Sequence, residues 1–135
     1  MASAALVLID TCMWIPFFSR KKSVHKSSVN RLLEENRAAI VGPILAEILL
    51  GFKKEREAEW VASALEGLHW IDLEPEDWRR AAALGRRLAG RGHPLPLSDL
   101  AIAAISLRRQ LLVYSIDPHF NLIAGLERFQ ADTPS

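Results

Sequence analysis

Four short runs of the chain, Ala4 to Ile9, Ala39 to Val41, His69 to Ile71 and Leu111 to Tyr114, are dominated by apolar and β-forming residues. Runs this short with little alternation suit strands buried on both faces of a parallel sheet. Between them the spacing predicts helices over Ser23 to Asn36, Pro43 to Phe52, Lys54 to Leu65, Glu76 to Ala89 and Ser98 to Arg108. Strands alternating with helices of this length imply an α/β domain with a mainly parallel sheet. The stretch from Gly90 to Pro96 breaks two helices and reads as a loop within one domain.

Against this apolar background four carboxylates stand out. Asp10 and Asp117 follow predicted strands, Asp99 opens a predicted helix, and Glu47 lies in a helix apolar around its whole circumference, which predicts that this helix is buried. A lone buried carboxylate is strongly disfavoured unless something compensates it. Each has a purely structural reading. Asp10 before Thr11 and Asp117 before Pro118 suit helix N-caps, Asp99 suits a first helical turn, and Glu47 suits a salt bridge. In open α/β sheets, however, ligands bind beyond the carboxyl ends of the strands, where Asp10 and Asp117 are expected.

If the four acids converge, two like charges about 4 Å apart repel by roughly 4 kcal/mol at an effective dielectric of about 20. Such a cluster needs a cation. Mg²⁺ and Mn²⁺ suit carboxylate and water ligands, whereas zinc would favour His or Cys, and His25, His69, His93 and His119 have no zinc-site spacing. A carboxylate-held metal that keeps its waters can orient and deprotonate one for attack on a phosphodiester. Metal-dependent phosphodiester hydrolysis is therefore the leading chemistry.

Composition narrows the class. With 135 residues, half of them hydrophobic, the chain is sized for one domain and one core. The balance of 17 basic against 16 acidic side chains means that any attraction to nucleic acid must come from local patches. Cys12 is the only cysteine, so no intrachain disulfide forms, and beside acidic groups its thiol reads as a small buried filler. No apolar run approaches the roughly 20 residues of a membrane span, and the N-terminal run is interrupted by Asp10 too early for a signal peptide. A soluble, cytoplasmic protein is expected.

The order and setting of these residues resemble PIN-domain ribonucleases, specifically the VapC-type toxins of toxin–antitoxin systems. The matching stretches are Leu8 to Ile15, Ala46 to Gly51, Pro94 to Ala104 and Tyr114 to Phe120, which together span most of the chain. The resemblance implies a PIN-like three-layer α/β/α sandwich as a single nuclease domain over residues 1–135. It implies Mg²⁺- or Mn²⁺-dependent endoribonuclease cleavage of structured RNA, a cognate antitoxin and a homodimer. The family's acids map onto Asp10, Glu47, Asp99 and Asp117, with Asp10, Asp99 and Asp117 as metal ligands and Glu47 orienting water. Thr11 and Ser115 map onto supporting hydroxyls. One departure is His119, which stands where many relatives carry a further acid and makes a one-metal site the default.

Two basic groups are candidate RNA contacts. Arg79, Arg80, Arg86, Arg87 and Arg91 share one side of the helix from Glu76, with Trp78, Ala81, Ala82, Gly85, Leu88 and Ala89 opposite. Arg20, Lys21, Lys22, His25 and Lys26 follow the first strand and helix turn, where a mobile loop could meet phosphates. Either group reads equally as a solvated surface. Trp70 on a predicted strand reads as core, and the segment from Trp14 to Phe18 reads as core or as a subunit or antitoxin interface.

Rival readings fit less of the chain. A receiver-like Mg²⁺-binding signalling domain would need paired early acids and a lysine after the last strand, and a haloacid-dehalogenase-type phosphatase an aspartate where Cys12 stands. A PIN fold without catalysis would not need all four acids. A PIN nuclease that processes RNA without an antitoxin remains the nearest alternative.

Overall fold

The computed structural model describes residues 5–131; Ala4, the start of the first predicted strand, lies outside them. Strands β1 (Val7–Ile9), β2 (Ala38–Ile40), β3 (His69–Trp70) and β4 (Leu112–Tyr114) form one parallel sheet in the order β3-β2-β1-β4. The helices are α1 (Thr11–Phe17), α2 (Val24–Glu34), α3 (Gly42–Leu50), α4 (Glu55–Ala64), α5 (Pro75–Gly90) and α6 (Leu97–Arg109), followed by a 3₁₀ turn, Pro118–Leu122.

Chain handedness turns this order into layers. From β1 through β2 to β3 the chain steps one way across the sheet, and from β3 it returns past β1 to β4. Because parallel crossovers are right-handed, the two directions put their helices on opposite faces. Helices α1 to α4 therefore cover one face and the α5–α6 pair the other, the expected α/β/α sandwich. The direction reverses between β1 and β4, which makes their carboxyl ends the ligand crevice of such a sheet.

β1 is paired on both sides and wholly buried, so Val7, Leu8 and Ile9 anchor the main core together with Ile40, Ile44, Val113 and Phe120. The outer edge of β4 is covered by residues 127–129, through Val113 N–H to the Glu127 carbonyl (3.0 Å) and Phe129 N–H to the Val113 carbonyl (2.9 Å). This pairing removes a free sheet edge.

The structure departs from the sequence expectations at several points. Trp70 is 51% exposed, because β3 is a two-residue edge strand, and its indole donates to Asp72 at 2.7 Å. Helix α3 is not buried all round. Ile44 and Ile48 face the core, while Ala46, Glu47 and Leu50 face solvent, because a helix at the domain surface buries only one stripe whatever its composition. On α5 the buried stripe is Asp77, Ala81 and Leu88, and Trp78, Ala82 and Ala89 are exposed. A charged residue sits in that stripe because Arg108 of α6 reaches it, which winding the helix by hydropathy alone does not reveal. Helix α1 was not among the predicted helices. It contains Pro16 and is capped by the Asp10 side chain, which accepts from Thr11 N–H at 2.8 Å.

Candidate active site

The carboxyl ends of β1 and β4 are tied together by Asp10 N–H donating to the Tyr114 carbonyl at 3.0 Å. Each strand then delivers an aspartate. Asp10 leaves β1 and caps α1, and Asp117 follows β4 and caps the 3₁₀ turn, accepting from His119 N–H at 3.0 Å. Asp99 arrives from the opposite layer, buried in the first turn of α6. The capping reading and the clustering reading are thus both satisfied, since a cap fixes the direction in which each carboxylate points.

Ser115 links two of these acids. Its hydroxyl donates to Asp10 Oδ2 at 2.8 Å and accepts from Asp117 N–H at 3.0 Å. Thr11 hydroxyl oxygen is buried with no hydrogen-bond partner among the described residues. Cys12 is half-buried rather than fully enclosed, its Sγ lying 3.5 Å from Asp10 Oδ2 and 3.3 Å from Ser115 Oγ. Burial pushes its thiol pKa up, the Ser115 hydrogen bond opposes this, and the charge of Asp10 adds to the rise. A thiol held protonated here is a poor nucleophile.

His119 is the residue that sequence reasoning undervalued. Its Nδ1 lies 2.7 Å from Asp99 Oδ2 and 3.1 Å from Asp117 Oδ1, bridging acids from two layers. Among the described residues, one carboxylate oxygen each from Asp99 and Asp117 and one ring nitrogen of His119 all lie within 4.8 Å of one another. The hydrogen bond to Asp99 raises the His119 pKa above its ordinary value. Asp99 is pushed the other way: burial raises its pKa, the hydrogen bond from His119 opposes that, and the charges of Asp10 and Asp117 add to the rise. The only signal for His119 in the sequence was its place two residues after Asp117.

Glu47 stands apart from this group. It is exposed on α3 and lines a groove with Thr11, Trp14, Ile15 and Phe18, beside Asp10 in sequence through Thr11. Of the first basic group, Arg20, Lys21 and Lys22 are exposed, whereas Lys26 donates to the Ser19 carbonyl and His25 Nδ1 lies 2.6 Å from the Tyr114 hydroxyl. Those last two side chains are engaged within the fold. Trp14 is core, donating its indole N–H to the Ile9 carbonyl at 3.1 Å, while Ile15 is exposed.

The donor chemistry fits a hard divalent cation. Asp99 and Asp117 bring carboxylate oxygens within 4.8 Å of each other, and Asp10 joins them through Ser115, which together offer the oxygen ligands that Mg²⁺ and Mn²⁺ prefer. The imidazole of His119 suits these ions less well and serves better as a charged partner of the carboxylates.

The PIN domain family model matches residues 7–126. A VapC ribonuclease of Mycobacterium bovis is 30% identical over 130 residues, covering 93% of this chain and 97% of that protein. Ribonuclease VapC11 of Mycobacterium tuberculosis matches at the same identity and coverage, 30% over 93% and 97%. Among solved structures, VapBC2 of Rickettsia felis bound to a promoter DNA fragment superposes with a TM-score of 0.78 at 20% identity, covering 94% of this chain and 99% of that chain. VapC20 of Mycobacterium tuberculosis, a sarcin–ricin loop cleaving toxin, gives a TM-score of 0.68 at 14% identity, over 91% and 98%. At these identities the solved structures establish a shared fold.

Proposed function

The chain belongs to the PIN domain family, and from that premise we propose that it is a metal-dependent endoribonuclease, the toxin of a toxin–antitoxin pair, acting as one domain over residues 1–135. The observation that carries the proposal is the meeting of Asp10, Asp99 and Asp117 from both helical layers at the carboxyl ends of β1 and β4. Mg²⁺ is the assigned metal, with Mn²⁺ able to replace it, held by Asp10, Asp99 and Asp117. When bound, it supplies a water or hydroxide activated for in-line attack on an RNA phosphodiester.

The chain's own groups do the rest. Ser115 holds Asp10 and Asp117 in fixed relation through its hydroxyl, and Thr11, whose backbone N–H holds Asp10, is assigned a supporting role beside it. When protonated, His119 tempers the repulsion between Asp99 and Asp117 in the absence of metal. Glu47, across the Thr11 groove, is assigned to orient the attacking water. Exposed Lys21, Lys22, Arg79, Arg86 and Arg87 are assigned to RNA phosphates, which position a substrate without reading its sequence.

The toxin role draws on the VapC relatives and on the apolar groove lined by Phe18, Phe52, Trp60 and Val61, a surface suited to an antitoxin segment. A homodimer and a cytoplasmic site of action complete the assignment. Among the described residues no helix is long and apolar enough to cross a membrane.

The test is incubation of total cellular RNA with the purified protein and Mg²⁺ or Mn²⁺, beside an EDTA control and Asp99→Asn. Discrete cuts that need both metal and Asp99, with growth arrest on expression of the unaltered chain alone, are expected. RNA left whole under every condition, with no metal binding, would replace this reading by a non-catalytic one.

A further inference from the structure

A groove of about 210 Å³ runs between α5, α6 and the residues after the 3₁₀ turn, far from the apolar groove of Phe18 and Trp60 in the fold. Its floor is aliphatic, formed by Leu84, Ala104, Leu107 and Ile123, and its wall carries Arg80 and Arg87. We propose that this groove binds the substrate RNA strand as it leaves the acid cluster, with arginines on phosphates and the floor against sugar and base. The proposal deepens the ribonuclease reading and rests on it.

Helices α5 and α6 run antiparallel, pairing Asp77 with Arg108 at one end and Gly85 with Leu100 at the other. A Cβ on Gly85 would lie 2.7 Å from Leu100 Cδ1, so glycine lets α5 lie directly against the first turn of α6. That turn holds Asp99. Arg87, two residues beyond Gly85, is level with that turn along the axis but on the opposite side of α5; the groove it lines joins the acid cluster through the 3₁₀ turn that runs from Asp117 to Ile123, and Arg80 lies about 10 Å further along the helix. An RNA strand with its scissile phosphate at Asp99 meets Arg87 and Arg91 first and Arg80 later.

After Asp77, α5 contains no acid, although the whole chain is only +1. Arg79, Arg86, Arg87 and Arg91 have no ion-pair partner among the described residues, and Arg80 is held only by exposed Glu76 at 3.1 Å. A surface pair of this kind is worth little and exchanges readily for a phosphate. Guanidinium groups suit phosphate oxygens, and the aliphatic floor gives sugar and base an apolar surface that a uniformly acidic partner would leave without a counterpart.

The test measures binding of a fluorescein-labelled, unstructured single-stranded RNA of about 25 nucleotides in EDTA, across a salt series, by the full chain and by the triple variant Arg80→Ala, Arg87→Ala, Arg91→Ala. Each lost phosphate contact to a single strand lowers the slope of log affinity against log salt by about 0.7, so the variant is expected to lose about 2 from the slope. In metal, its KM for the same RNA is expected to rise about tenfold or more. A second variant, Ala83→Glu, puts an acid beside the groove and should weaken RNA binding with an unchanged thermal midpoint.

An unchanged salt slope and KM in both variants would overturn the groove as an RNA site while leaving cleavage by the parent chain intact. Arginine-dependent RNA binding without any cleavage would instead refute the ribonuclease reading. A poly-glutamate peptide that binds in an arginine-dependent manner, with RNA binding unaffected, would assign the groove to an acidic protein segment and also overturn the proposal.

Discussion

Two buried carboxylates, Asp77 and Asp99, stand on neighbouring helices and are treated in opposite ways. Asp77 is 0% exposed and satisfied from within the chain: Arg108 donates to its two oxygens at 2.6 and 2.8 Å, and it accepts from Glu74 N–H at 2.8 Å. The Arg108 hydrogen bonds hold its pKa below the usual carboxylate range. Asp99 is nearly as buried, yet its neighbours are Asp10, Asp117 and a histidine, and burial raises its pKa. The chain supplies a dedicated arginine where a carboxylate serves structure. At the crevice it supplies like charges and one titratable ring, which leaves a deficit of positive charge for a cation to fill.

That contrast can be broken from either side. The largest effect on stability is expected from Asp77→Ala, which removes two charge-assisted hydrogen bonds and a helix cap and should cost about 3 kcal/mol in denaturant unfolding. Its response to added Mn²⁺ should persist. Asp99→Asn should shift metal-free stability by less than about 1 kcal/mol, because the repulsion it relieves offsets the His119 contact it weakens. The same substitution should abolish the stabilisation by metal.

The pH dependence separates the two carboxylates by sign. Asp77 has a lowered folded pKa, so its contribution is complete above its unfolded pKa of about 3.9 and is lost as pH falls through the lower folded value. Asp99 and His119 both have raised folded values. For Asp99 the protonated form favours the fold, so stability falls as pH rises from about 3.9 through its folded pKa. For His119 the gain is complete below about 6.5 and is lost as pH rises through its higher folded pKa. In EDTA, stability should therefore decline from acid toward mildly alkaline pH. His119→Gln should flatten the upper part of that decline, a smaller effect that equilibrium unfolding at several pH values would measure.

The same contrast explains what could be read in the sequence. The parallel sheet and the positions of Asp10 and Asp117 follow from apolar runs that end in an acid, a signal carried by consecutive residues. Asp99 was legible because a carboxylate interrupts an apolar helix. Asp77 was not, because its partner Arg108 is 31 residues away and only packing brings them together. Glu47 was misjudged as buried because the hydropathy of α3 exceeds what one helical face can hide. His119 looked like a departure from an acidic pattern, and its bridging role needs the register of α6 against the 3₁₀ turn. Trp70 reads as core because its strand is predicted to be buried, whereas strand order puts β3 at the sheet edge.

The crevice lacks positive charge that a divalent cation supplies. The most direct measurement is the thermal midpoint of the chain and of Asp99→Asn, in EDTA and across a Mn²⁺ and Mg²⁺ titration. A saturable rise in the midpoint of the unaltered chain, absent from Asp99→Asn, is the predicted result. A midpoint indifferent to millimolar metal, or one that rises equally in both proteins, would contradict the account.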